Sequence, residues 1–236
     1  MSNPIPVAAK TLAEIAMPDF CPRCFWIKLH VRKLPFQIFP GIFNTIDSYT
    51  KKIVHGWFDN HGGSPPWLQE LGDVIGYKEA PNFRTFFIVD DETNIMLRGN
   101  PDDIYLLSDD THLIIDYKTA KYTGTQDSLM PMYMAQLNAY AFISERCGPK
   151  PLTGLALVYM EPITDDMAAN EDENRRNSGF AMGFSASVHP IRLDIDMISP
   201  LLREARQIYN LNMPPPGRLD CQNCQLVDEL TRIVDR

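Results

Sequence analysis

No stretch of this 236-residue chain approaches the ~18 consecutive apolar residues of a membrane span. Met1 to Lys10 lacks the charged start and apolar run of a secretory signal. Those absences exclude a membrane-spanning helix and predict a cytoplasmic protein. An excess of positive charge is also missing: 22 Lys and Arg stand against 30 Asp and Glu, a net charge of −8, which argues against indiscriminate attraction to a phosphate backbone. No internal repeat or low-complexity tract occurs. The charge is unevenly spread. Asp165, Asp166, Glu171, Asp172 and Glu173 share one polar stretch, while Arg23, Lys28, Arg32, Lys33, Lys51 and Lys52 gather in the N-terminal quarter, as a phosphate track or as a solvated helical face. At 44% hydrophobic, residues 1–236 suffice for a single domain with a substantial core.

Residues 95–118, IMLRGNPDDIYLLSDDTHLIIDYK, read as three short strands joined by tight turns: Ile95 to Arg98, Ile104 to Leu107 and His112 to Lys118. Strand side chains alternate, so His112, Ile114, Asp116 and Lys118 share one face and Leu113, Ile115 and Tyr117 the other. A carboxylate and an ammonium thus leave one face at the end of an apolar strand. Burying them costs free energy unless other groups satisfy them. Taken alone, such an Asp-x-Lys is a solvated pair at a sheet rim. With Asp102 as a second carboxylate before the neighbouring strand, it becomes a site for a hard, oxygen-loving divalent cation.

Gly99-Asn100-Pro101-Asp102, then Asp116-Tyr117-Lys118-Thr119, then Gln136-Leu137-Asn138-Ala139-Tyr140 resemble the ordered signature of the PD-(D/E)XK nuclease superfamily. They are most similar to its RecB-type branch, whose third motif is a Gln and a Tyr four residues apart on a helix. That branch includes exonucleases of DNA repair and CRISPR adaptation whose termini are stapled by cysteines around an iron-sulfur cluster. The resemblance implies a restriction-endonuclease-like α/β fold, a mixed central sheet flanked by helices. It further implies Mg²⁺ or Mn²⁺ held by Asp102, Asp116 and the backbone carbonyl of Tyr117. Lys118 would position the attacking water, and Gln136 and Tyr140 would order the site or stack on substrate. RecB-type nucleases place a metal-contacting His in a helix a few residues after a glycine. Here Gly41 is followed by Asn44, Thr45 and Asp47, so Asp47 is the candidate substitute, with a solvated carboxylate as its bland alternative. His55, farther along, is expected to cap or pack.

Four of five cysteines form Cys21-Pro22-Arg23-Cys24 and Cys221-Gln222-Asn223-Cys224. In a chain without an export signal, paired Cys-x-x-Cys units favour metal over disulfides. Four thiolates suit tetrahedral zinc or an iron-sulfur cluster. Almost the whole chain lies between the pairs, so such a site would clasp the two ends together. The resemblance implies a 4Fe-4S cluster, although two cysteines stand at each end where the exonucleases of CRISPR adaptation have one and three. Cys147 reads as a small buried apolar residue. Phe25 and Trp26 either shield the cluster or belong to the core.

The remaining pattern predicts a broken helix over Thr11 to Phe20, loops at Leu34-Pro35 and Phe39-Pro40-Gly41, and a helix from Ile42 to Asn60. Its stripe Ile42, Ile46, Tyr49, Ile53 and Trp57 is expected to face the core. A long strand is predicted over Asn82 to Val89, with Glu79 before it as a further ligand candidate or a surface acid. A Gly124-containing loop leads to a helix over about Ser128 to Arg146 with Ser128 as N-cap. Strands follow at Leu152 to Met160 and Phe180 to Leu193, separated by a mobile insertion or long hairpin loop at 163–179, and then a helix at Asp196 to Leu211. The function expected is DNA hydrolysis by an exonuclease acting on single strands or free ends, with protein partners in a repair or CRISPR-type complex. The non-enzymatic alternative is a metal-clasped nucleic-acid- or partner-binding module. A third class, a redox protein centred on the cluster, leaves the Asp-x-Lys unexplained.

Overall fold

The computed structural model describes residues 3–31, 40–123 and 128–234. Its strands are β1 (Ile5–Ala8), β2 (Val74–Lys78), β3 (Phe87–Asp90), β4 (Ile95–Arg98), β5 (Asp103–Leu107), β6 (His112–Lys118), β7 (Leu152–Pro162), β8 (Arg175–Arg176), β9 (Gly179–Phe180) and β10 (Phe184–Ile191). The α-helices are α1 (Ala9–Ala13), α2 (Pro22–His30), α3 (Gly41–His61), α4 (Met130–Cys147), α5 (Asp166–Asn170), α6 (Ile198–Tyr209) and α7 (Gln222–Val234). No helix among the described residues is long and apolar enough to cross a membrane.

A mixed five-stranded sheet runs β10-β7-β6-β5-β2, with β6 and β7 parallel and the other neighbours antiparallel. The central strands β6 and β7 carry the buried apolar runs Leu113 to Ile115 and Leu155 to Tyr159 because both faces of the sheet are covered. On one face Ile114, Leu155 and Leu157 pack with Leu137 and Ile143 of α4, Leu12 of α1 and Leu202 of α6. On the other, Leu113, Ile115 and Val158 pack with Val54 and Phe58 of α3 and with Leu68. Ile114 and Ile115 are both fully buried, on opposite faces, each contributing about 2–3 kcal/mol over an exposed position. A second sheet, β1-β4-β3, joins the first core and pairs the N-terminal strand parallel to β4.

Several expectations need correction. In α3, Ile42, Tyr49 and Ile53 are exposed, and the helix buries Thr50, Val54 and Phe58 instead. Each residue turns a helix by about 100°, so two apolar stripes fit on α3, and packing against the sheet selects the second. The strand expected at Asn82 to Val89 begins only at Phe87, because the chain turns where Thr85 and Phe86 donate to the Asn82 carbonyl. Strands β1 and β2 were not expected, nor was helix α7, and β2 forms the edge of the main sheet. The 163–179 stretch holds α5, capped by Asp165 Oδ1 accepting from the Ala168 amide at 2.9 Å, and the start of the β8–β9 hairpin. Helix α4 begins at Met130, with Leu129 and not Ser128 at its N-cap position. Cys147 is exposed, its thiol donating to the Phe87 carbonyl at 3.4 Å. Phe25 is core, and the Trp26 ring nitrogen donates to the Leu211 carbonyl at 3.0 Å. The readings at Arg32, Lys33, Leu34-Pro35, Phe39 and Gly124 lie outside the described residues.

Candidate active site and cysteine cluster

Asp102 stands one residue before β5, and Asp116 and Lys118 end β6 on the face that meets α4. The β5–β6 ladder stops at Asp103 opposite Ile115, and beyond that rung the Tyr117 amide donates to Asp102 Oδ2 at 2.9 Å. A strand's amide hydrogen thus replaces a backbone partner with a carboxylate, which fixes Asp102 beside the end of β6. From α4, Gln136 Nε2 donates to Asp116 Oδ1 at 3.1 Å and to the Tyr140 hydroxyl at 2.8 Å. The Asn100 backbone amide also bonds that hydroxyl. All three sequence motifs therefore converge.

Gly99 is glycine for a steric reason. A Cβ there would lie 2.6 Å from Tyr140 Cδ1 and 3.1 Å from Phe86 Cδ1, both buried rings. We expect Gly99→Ala to destabilise the fold by about 1–3 kcal/mol through overpacking and to displace Tyr140. Chemical denaturation checks this, and an unchanged midpoint would show that the rings yield freely.

Asp116 is buried, and burial pushes its carboxyl up to about 6, with the charge of Asp102 adding to the rise while Lys118 and Lys10 oppose it. Lys118 Nζ forms an ion pair with Asp116 Oδ2 and lies 4.6 Å from the centre of the Tyr133 ring. Burial disfavours the Lys118 charge, but the Asp116 carboxylate outweighs it and holds the ammonium above its ordinary range. Asp116 Oδ2 takes the Lys118 ammonium as its partner, and Gln136 Oε1 is a buried acceptor with no hydrogen-bond donor among the described residues. A buried carboxylate beside a free amide oxygen suits a bound hard cation.

Two lysines converge here, and one of them, Lys51, was not singled out from the sequence as a site residue. Its ammonium bonds Asp102 Oδ1 at 2.9 Å and Asp47 Oδ2 at 3.2 Å. Burial raises the Asp47 carboxyl, and the neighbouring Asp102 charge raises it further. Asp47 thus faces Asp102 across a lysine. His55 neither caps a helix nor joins these carboxylates: its Nε2 contacts both oxygens of the buried Asp103 at 2.9 Å, and its ring stacks on Tyr77. Tyr117 donates to Asp103 Oδ2 at 3.2 Å and is bonded to Tyr105. Adjacent carboxylates at 102 and 103 therefore take different partners: Asp103, inside β5, joins His55 and Tyr117, while Asp102, before the strand, takes Lys51 and the Tyr117 amide. No contact joins Glu79 to this group among the hydrogen bonds and ion pairs of the described residues.

Cys21, Cys24, Cys221 and Cys224 bring their sulfurs within 4.8 Å of one another, a group able to hold a metal ion. Cys21 immediately precedes α2 and Cys24 lies in its first turn; Cys221 and Cys224 repeat that placement at α7. A bidentate ion pair ties the two helices, Arg23 donating to Asp228 at 3.1 and 2.5 Å.

No curated protein matches this chain. Among solved structures, that of SSO0001 aligns over 91% of this chain and 80% of its own, with 12% identity and a TM-score of 0.45. The family model of the PD-(D/E)XK nuclease superfamily matches residues 55–228, which include Asp102, Asp116, Lys118, Gln136 and Tyr140. Because that match spans most of the sequence, the chain belongs to the PD-(D/E)XK nuclease superfamily.

Proposed function

We propose that this protein is a Mg²⁺- or Mn²⁺-dependent deoxyribonuclease of the RecB-type branch, an exonuclease acting on single strands or free ends. A cytoplasmic repair or CRISPR-type complex is its setting. The observation that carries this reading is the meeting at the end of β6 of two carboxylates, Asp116 held by Lys118 and Gln136, and Asp102 held by Lys51 and the Tyr117 amide, with the buried Gln136 Oε1 beside them lacking a donor among the described residues. Asp102 and Asp116, with the Tyr117 carbonyl, would hold the cation, and Asp47 would reach it through the position Lys51 bridges. A cation bound there would supply a lowered pKa for a bound water and neutralise charge on the scissile phosphate.

The chain's own residues do the rest. Lys118 donates to the attacking water and to the phosphate oxygen on which negative charge accumulates, its ammonium held in place by Asp116 and the Tyr133 ring. Gln136 fixes the Asp116 carboxylate, and Tyr140 fixes Gln136. Lys51 contributes a second positive charge between Asp102 and Asp47. The cysteine cluster fastens the chain ends and takes no part in hydrolysis.

End-labelled single- and double-stranded DNA incubated with the protein and Mn²⁺ is expected to shorten progressively, and a chelator to stop it. DNA that stays intact in both Mg²⁺ and Mn²⁺ would reject the enzyme. One observation favours the non-enzymatic alternative: the Lys51 ammonium already occupies Asp102 Oδ1. Retention of DNA without cleavage, insensitive to added Mn²⁺, would select that reading.

A further inference from the structure

We propose that Cys21, Cys24, Cys221 and Cys224 hold a single tetrahedral zinc ion and not a multi-iron cluster. The sulfur spacing carries this. Cys21 and Cys224 stand 3.4 Å apart, Cys24 and Cys221 3.5 Å, and Cys24 and Cys224 3.6 Å. All four sulfurs lie within 4.8 Å of one another.

A zinc–sulfur bond of about 2.3 Å in a tetrahedron places its four sulfurs about 3.8 Å apart. A cubane interposes four irons and four sulfides between its thiolates, which must then stand on the order of 6 Å apart. A two-iron cluster keeps sulfurs on one iron close but separates the two pairs by similar distances. Neither spacing is present: three of the pairs across the two chain ends stand 3.4 to 3.6 Å apart and no pair exceeds 4.8 Å, short of what a cluster requires. Nor are the sulfurs bonded to each other, since a disulfide needs about 2.05 Å.

The surroundings are built to the same scale. Three of the four cysteines are buried. The Arg218 amide donates to Cys21 Sγ at 3.5 Å, as second-layer amides commonly do to metal-bound thiolates. Gly217 closes the other side: a Cβ there would lie 2.5 Å from Cys224 Sγ. Each Cys-x-x-Cys opens a helix, so the positive ends of α2 and α7 both face the thiolates and lower the cost of ionising them. Widening the site to cluster dimensions would move α7 away from α2 and break the Arg23–Asp228 pair.

This deepens the reading of the cysteines as a structural clasp and is independent of the nuclease reading, because its test uses no DNA. Full-length protein purified anaerobically from cells supplied with both iron and zinc is assayed for zinc, iron and acid-labile sulfide. One zinc per chain, no sulfide and a colourless solution are expected. Replacing zinc with Co²⁺ should produce the intense visible bands of a tetrahedral thiolate site, and Cys24→Ser should lower zinc content at least tenfold. Should that variant fail to fold, the cobalt spectrum of the native chain decides. Brown protein carrying about four irons and four sulfides per chain, or metal-free protein with the four thiols oxidised, would overturn the proposal.

Discussion

Replacing Lys118 with alanine is expected to slow DNA cleavage about 10²- to 10³-fold at saturating Mn²⁺, a loss of about 3–4 kcal/mol of transition-state stabilisation. Lys118 is the cation that β6 aims along the face of Asp116, and no other lysine among the described residues contacts that carboxylate. The fold should survive. Without the ammonium, the Asp116 charge is balanced by the bound Mn²⁺ or, in metal-free protein, by a proton, toward which its burial already tends. Single-turnover rates on labelled DNA, set beside thermal unfolding of the same preparations, separate chemistry from stability. Lys51→Ala is expected to weaken Mn²⁺ dependence before it affects the rate at saturation, because Lys51 touches Asp102 and Asp47 and not Asp116. Equal rates for native protein and Lys118→Ala would remove Lys118 from the mechanism.

Acidification is expected to switch the enzyme off through Asp116. Its carboxyl titrates at about 6, above the ordinary carboxylate range, because burial penalises the charged form. Above that pH the group is ionised and can hold a cation; below it the proton occupies the site. Each further unit of acid lowers the ionised fraction about tenfold, so at about pH 5 both Mn²⁺ affinity and cleavage at subsaturating metal should fall by roughly that factor. The sign has a second consequence. Proton and cation compete, so raising Mn²⁺ should move the midpoint of the activity profile to lower pH. Lys118, held above its ordinary range, stays charged throughout and cannot produce this acid limb. Calorimetric titration of Mn²⁺ from about pH 5 to 8 measures it, with Asp116→Asn as the control that loses both binding and titration. Affinity independent of pH over that span would place the cation elsewhere.

Much of this site is legible before folding. Alternation along His112 to Lys118 puts Asp116 and Lys118 on one face, as in β6. A four-residue step on a helix aligns Gln136 with Tyr140, and their side chains do bond. The turn residues at 108–111 delimit β5 and β6 correctly. The same local reasoning failed on α3, where the pattern allows two apolar stripes and only contact with the sheet chooses between them. It failed again at Ile5–Ala8 and Val74–Lys78, where Pro6 and Gly76 argue locally against a strand and pairing with β4 and β5 overrides them.

By itself, then, the sequence determined the direction of each side chain within its own element, and so the content of the three motifs and both Cys-x-x-Cys pairs. The clasp of the two Cys-x-x-Cys pairs was likewise expected, but tertiary structure alone decided that Lys51 meets Asp102 across 51 positions and His55 meets Asp103 across 48. The reason is physical. Periodicity follows from backbone geometry repeated over a few residues, whereas these meetings depend on how helices settle on the two faces of a sheet, an outcome shared among every buried side chain between them.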